Sequence, residues 1–138
     1  MNKTIEEIIC TTNSFIVNQD REVPIPGFFI IASKDNTKTK ITDFSDQETI
    51  ELTMLQKKVR DLMEKVLGIK VVYFFQNEDS KHGFHIWCFP RHEWMKEFGY
   101  KIESVRTIMK YAEQNMFTDE NLKFVKVYCD KMRNEMQI

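Results

Sequence analysis

The residues best able to do chemistry lie in one stretch, Asn77-Glu-Asp-Ser80-Lys-His82-Gly-Phe-His85-Ile-Trp87-Cys-Phe-Pro90-Arg91. It holds two of the chain's three histidines. An imidazole offers both a lone pair and a proton near neutral pH, so it can serve as nucleophile, proton carrier or metal ligand. Each residue also has a plainer reading. His85 can be a satisfied histidine on a sheet, and Ser80 and Asn77 can be ordinary turn formers. Trp87 can simply pack, while His82 and His92 read as exposed loop residues.

Spacing separates some of these readings. If residues 84–89 are extended, side chains alternate between faces. His85, Trp87 and Phe89 then share one face, and Phe84, Ile86 and Cys88 share the other, which reads as core. Such an arrangement presents an imidazole to a pocket just after a polar turn. His82, three residues earlier, falls off that face, though the turn leaves it room to swing in. The three-residue steps His82, His85 and Cys88 would gather ligands on a helix, but Gly83, Pro90 and the β-prone composition make this a strand. No second dense ligand pair exists either, so no metal site is expected.

These side chains need elements to hold them. Residues 4–9 are expected as a short helix, with Thr4 and Glu7 spaced as a capping box. Ser14–Asn18 is a β-branched apolar run and predicts a strand. The stretch Asp20-Arg-Glu-Val-Pro-Ile-Pro-Gly27 excludes both helix and central strand. Residues 28–32 predict a second strand covered on both faces, and Asp35 to Lys40 a polar connection. The clearest helix starts at Ser45, where Ser45-Asp-Gln-Glu48 is a capping box. Leu52, Leu55, Val59, Leu62 and Val66 give it one apolar stripe, and Gly68 is its C-terminal stop. Residues 70–75 and 84–89 predict two further strands. Two helical patterns finish the chain, lined by Ile102, Val105, Ile108, Met109 and Ala112 and by Leu122, Val125, Cys129, Met132 and Met136. They can cover the core or form a dimer face. Strands followed by segregated helices indicate an α+β fold.

Bulk properties bound the function. A length of 138 residues fits one domain, and 42% hydrophobic with 30% charged residues is ordinary globular composition. The net charge of −1 comes from mixed acids and bases, so no basic footprint for a nucleic-acid duplex exists. The start, MNKTIEEIICTT, does not read as a signal peptide, and the longest apolar runs are too short to span a bilayer. Three scattered cysteines, Cys10, Cys88 and Cys129, fit reduced thiols in a cytoplasmic setting.

Taken together, residues 14–91 resemble the histidine-triad (HIT) proteins. That family carries a histidine–apolar–histidine–apolar–histidine strand, often ending in Pro-Arg. Phe84-His85-Ile86 falls on the centre of the motif and Cys88-Phe-Pro-Arg91 on its tail. The resemblance implies that His85 is the nucleophile and that Ser80, five residues before it, contacts phosphate. Phe15 to Ile31 is similar to the family's strand–Pro–Gly–strand segment, in which Asp20, six residues before Pro26, would hold ribose hydroxyls. Lys34 stands where many members have Pro-Lys, Asn77 matches an asparagine at the end of the third strand, and residues 42–48 are similar to the lead-in to the long helix. Gly83 and Trp87 replace the first and third histidines, and the phosphate loop Glu78-Asp-Ser-Lys81 lacks glycine.

The resemblance implies a HIT-like antiparallel sheet of about five strands with one long helix packed on it. Residues 1–138 would form a single domain, with 98–138 as a C-terminal helical extension. It implies an adenosine-phosphate type of nucleotide as ligand, no cofactor and a homodimer. In the family's reaction the histidine displaces a leaving group from the α-phosphate, and water then frees the nucleoside monophosphate. Trp87 can donate one hydrogen bond, stack or wall the pocket, but cannot usefully transfer a proton. Losing one donor at such a site costs about 10²-fold or more. Three readings follow: a slow hydrolase or nucleotidyl transferase, a nucleotide binder without turnover, and an interaction protein with a vestigial pocket.

Overall fold

A computed structural model describes residues 8–136. Its order is β1 (Ile8–Thr11), β2 (Phe15–Gln19), β3 (Phe29–Ser33), α1 (Asp46–Lys65), β4 (Val72–Phe75), β5 (His85–Pro90), α2 (Val105–Asn115) and α3 (Asp119–Met136). Short 3-10 turns lie at Ile41–Asp43, Glu93–Phe98 and Ile102–Ser104. The strands form one antiparallel sheet in the order β1-β2-β3-β5-β4. β4 arrives after α1 and takes the edge, and β5 returns between β4 and β3. This is the α+β architecture that the sequence predicts.

The expected N-terminal helix is corrected in part. Ile8 and Ile9 begin β1, which pairs with β2, and residues 4–7 lie outside the described residues. The β-branched Ile8-Ile9 gains more from a ladder beside β2 than from a single helical turn, which is a costly nucleus.

α1 begins as expected. Ser45 Oγ accepts the Glu48 amide at 3.1 Å, and the Ser45 amide donates to Glu48 Oε1 at 2.9 Å. The buried stripe is Leu52, Leu55, Val59 and Met63. Leu62 is only half-buried and Val66 caps the helix, because 3.6-residue periodicity rotates the stripe onto Met63. Gly68, at φ +71°, turns the chain away from the helix end, with its amide on the Glu64 carbonyl at 3.0 Å.

Two apolar clusters sandwich the sheet. On one face, Phe15, Val17, Phe29, Ile31, Phe84 and Cys88 pack with α1 and with Val125, Cys129, Met132 and Met136 of α3. On the other, Phe89 packs with Phe28 and Ile25 of the β2–β3 connection, with Met95, and with Val105, Ile108 and Ala112 of α2. Both terminal helices therefore cover the core. Burying one phenylalanine side chain contributes roughly 1.5–3 kcal/mol, so Phe29 and Phe89, both fully buried, anchor opposite faces of neighbouring strands. Gln19, also fully buried, ties β2 to that connection: its Nε2 donates to the Ile25 carbonyl at 2.9 Å, and its Oε1 accepts the Cys129 thiol at 3.8 Å.

The second cluster covers only part of its face. Along β5 burial rises from half-exposed at His85–Trp87 to full at Cys88–Pro90. Ile30 and Ala32 of β3 are likewise half-exposed, so the second strand is covered on one face and only partly on the other. The open end of this face is where His85 stands.

The capping box makes a checkable statement about acid. The Ser45 amide, and then the Lys38 ammonium, hold the Glu48 carboxyl at about 2, below its ordinary 4.5. A lowered folded-state value means stability present above the unfolded value and lost as pH falls through the folded one. Ser45→Ala is expected to cost about 1 kcal/mol. Glu48→Gln is expected to lower the urea midpoint at neutral pH, and its difference from the parent should vanish as the pH approaches about 2. Parallel urea titrations along a pH series check both.

Candidate functional site

His85 opens β5 and pairs with Ala32, while Trp87 pairs with Ile30 on one side and Phe75 on the other. Its Nδ1 lies 2.9 Å from the Gly83 carbonyl oxygen. A carbonyl can only accept, so Nδ1 carries the proton and the neutral ring keeps its lone pair on Nε2. Nε2 has no hydrogen-bond partner among the described residues. The ring is half-buried, stacked on Trp87 at 5.7 Å and 26°. Trp87 is itself stacked on Phe75 at 5.6 Å and 9°. This arrangement holds an imidazole in one tautomer, braces it from the side and leaves its basic nitrogen unspent.

The carbonyl that sets the tautomer belongs to a position only glycine fits. Gly83 has φ +82°, and a Cβ there would lie 2.8 Å from the Asn36 carbonyl oxygen. The 34–38 connection is closed against it by the Phe84 amide, which donates to the Lys38 carbonyl at 2.8 Å. Gly83 is thus a close backbone approach where the HIT motif has a histidine.

The other predicted residues fall at different distances from this centre. Ser80 sits in the β4–β5 turn, half-buried, its Oγ accepting the His82 amide at 3.2 Å. Asn77 is exposed in the same connection. Lys34, exposed, follows β3 two residues beyond Ala32, at the His85 end of the sheet, and has no carboxylate partner among the described residues. Asp20 lies elsewhere. Its amide donates to the Phe28 carbonyl at 2.8 Å, level with the closed end of β5 and about 13 Å along the strand from His85. Its Oδ1 accepts the Glu22 and Val23 amides at 2.9 and 3.0 Å. Burial pushes its carboxyl up, against the pull of those two amides.

Two residues emerge that the sequence reading did not single out for the site. Asn18 pairs with Ile30, which pairs with Trp87, so its half-buried amide side chain shares the open face with His85, about 10 Å from Trp87 across two strand spacings. Counting alternation back along residues 14–18 would have found it. His82 is exposed, as expected, but its ring lies 6.3 Å from that of His85 at 78°. His92, expected exposed, is half-buried and donates from Nε2 to the Pro26 carbonyl at 2.6 Å. Burial pushes its imidazole down, and that bond pulls it up.

The site is an open sheet face with a turn at its rim. A cleft of about 430 Å³ lies elsewhere, at the far end of the β4–β5 pair, lined in part by Tyr73, Arg91 and Tyr128 but not by His85. The His85 face is the candidate site, because a fixed tautomer and an unpartnered lone pair describe chemistry, which volume alone does not. Among the described residues no group of three His, Cys, Asp or Glu side chains is placed to hold a metal ion. No helix there is long and apolar enough to cross a membrane.

The five-stranded antiparallel sheet with helices packed on it has the fold of known histidine-triad structures. The NitFhit protein of C. elegans superposes with a TM-score of 0.59 at 19% identity, over 90% of this chain and 27% of that longer one. A histidine triad protein from Sinorhizobium meliloti 1021 gives 0.58 at 13% identity, over 79% of this chain and 88% of its own. A zinc-bound histidine triad family protein from Mycobacterium smegmatis also gives 0.58 at 13%, over 93% and 84%. Identities this low speak to the fold alone. No protein-family model and no curated protein matches the sequence.

Replacing Gly83 tests how the site is built. Gly83→Ala places a Cβ against the Asn36 backbone at positive φ and is expected to cost about 1–3 kcal/mol in urea unfolding. An alanine that unfolds at the parent's midpoint would refute the close approach.

Proposed function

We propose that this protein binds an adenosine-phosphate type of nucleotide on the open sheet face. There it cleaves slowly at the α-phosphate, as a hydrolase or nucleotidyl transferase acting on a nucleoside phosphoramidate or dinucleoside polyphosphate. The observation that carries this reading is the His85 imidazole, fixed by the Gly83 carbonyl with Nε2 unpartnered on a half-open face. The shared fold supports it.

In this reading Nε2 attacks phosphorus and forms a P–N bond as the bond to the leaving group breaks. The ring gains positive charge, which the Gly83 carbonyl stabilises through Nδ1–H. Water then attacks the same phosphorus, the P–N bond breaks, and nucleoside monophosphate leaves. Ser80 and Lys34 are the donors available for the charged phosphate oxygens, and Asn77 lies further out in the same connection. The indole of Trp87, braced by Phe75, offers a wall for the ligand. Asn18, rather than Asp20, supplies the polar contact to the ribose, because Asp20 is buried at the closed end of the sheet with its Oδ1 held by the Glu22 and Val23 amides.

A second reading shares the pocket without turnover. It is favoured by Gly83 and Trp87, neither of which can carry a proton to the leaving group. A homodimer belongs to both readings, with the edge strand β4 free to pair along its outer side. A cytoplasmic setting fits three free thiols, two of them buried.

Adenosine 5′-phosphoramidate and diadenosine tetraphosphate, each incubated with the parent and with His85→Ala, separate these readings. Loss of turnover by about 10³-fold or more is expected, and undiminished turnover in the variant would end the nucleophile assignment. Calorimetry with adenosine monophosphate is expected to show Asn18→Ala binding about tenfold more weakly, with a smaller change for Asp20→Asn. The reverse order would return the ribose contact to Asp20.

A further inference from the structure

Strand alternation predicts that His82 faces away from His85. The structure departs from that at Gly83, whose φ of +82° breaks the alternation before β5 begins. The turn is held at both ends. The His82 amide donates to Ser80 Oγ at 3.2 Å, and the next residue's carbonyl accepts His85 Nδ1 at 2.9 Å. The two imidazoles consequently stand edge to face, 6.3 Å between centroids. His82, His85, Trp87 and Phe75 form a run of neighbouring rings. Only His82 and His85 among them can move a proton.

In an in-line displacement, entering and leaving atoms lie on opposite sides of phosphorus, about 4 Å apart at two bond lengths of roughly 2 Å each. A proton donor to the leaving atom then belongs about one further hydrogen-bond length away, roughly 3 Å. Ring centroids 6.3 Å apart allow a nitrogen of His82 to stand within that span of His85 Nε2. His82 is exposed, so solvent can restore its proton between turnovers, and its ring has no hydrogen-bond partner among the described residues.

We propose that His82 is the proton donor to the leaving group, supplying from the turn the second imidazole that positions 83 and 87 lack. This rests on the reading of His85 as nucleophile. As Nε2 of His85 forms its bond to the α-phosphorus, the bond to the leaving nitrogen or oxygen breaks. His82, entering as imidazolium, gives its proton to that atom and becomes neutral. Neutral His82 then takes a proton from the water that attacks the nucleotidyl-imidazole. Nucleoside monophosphate leaves, and both rings return to their starting states.

The test varies the leaving group. Adenosine 5′-phosphoramidate expels an amine that must be protonated; the 4-nitrophenyl ester of adenosine monophosphate expels an anion that needs no proton. His82→Gln is expected to lose about 10²–10³-fold in kcat/KM on the phosphoramidate and about tenfold or less on the ester. His82→Ala on the phosphoramidate is expected to regain activity when free imidazole is added, which a merely structural histidine would not allow. Equal losses on both substrates, no loss on either, or failure of imidazole to rescue would overturn the His82 assignment, provided His85→Ala is inactive. If His85→Ala retains turnover, or the parent has none on either substrate, the nucleophile reading fails and takes this one with it.

Discussion

The hydrogen bond from His85 Nδ1 to the Gly83 carbonyl is the interaction on which the site depends. It decides which ring nitrogen holds the proton, and so which one is basic. It also joins the first residue of β5 to the turn before it, fixing the turn and the ring together. The carbonyl stands where it does because Gly83 lies against the Asn36 backbone at positive φ, a combination closed to any residue with a Cβ. The connection that follows β3 thereby sets the chemistry of a ring on β5.

The same strand shows how one sheet serves two cores. α1 and α3 cover one face of the inner strands, whereas α2 and the β2–β3 connection cover the other most fully around Phe89, with Tyr73, Phe75 and Trp87 at its margin. Gln19 closes this arrangement from inside. A buried amide is tolerated only when its hydrogen bonds are met, and here they reach the Ile25 carbonyl and the Cys129 thiol. The connection that roofs the second core is thus tied to the helix that floors the first.

Much of this was legible in the sequence. The Ser45–Glu48 box marks the start of α1, and alternation along residues 84–89 separates Phe84 and Cys88 from His85. The hidden parts have identifiable causes. Ile8-Ile9 carries no local signal strong enough to choose between a helical turn and a strand, and the presence of β2 decides it. The terminal helices show apolar stripes, but a stripe does not say which sheet face receives it. The place of Asp20 at the closed end of the sheet is hidden because it enters a loop, where residue number does not measure distance, whereas the face that Asn18 shares follows from strand alternation. The place of His82 is only half legible: the turn leaves it room to swing in, but alternation alone puts it off the face, and it fails at one positive φ, that of Gly83.

The burial gradient along β5 makes the strand a cantilever. Cys88–Pro90 are clamped between two cores, while His85–Trp87 stay half-exposed, with Trp87 packed against the margin of the second core. Load on the free end, such as an anchored ligand, is carried into the clamp through five-stranded pairing and the stacked indole. The buried clamp lies apart from the half-exposed end, so a substitution at position 85 falls outside the core that holds the shape.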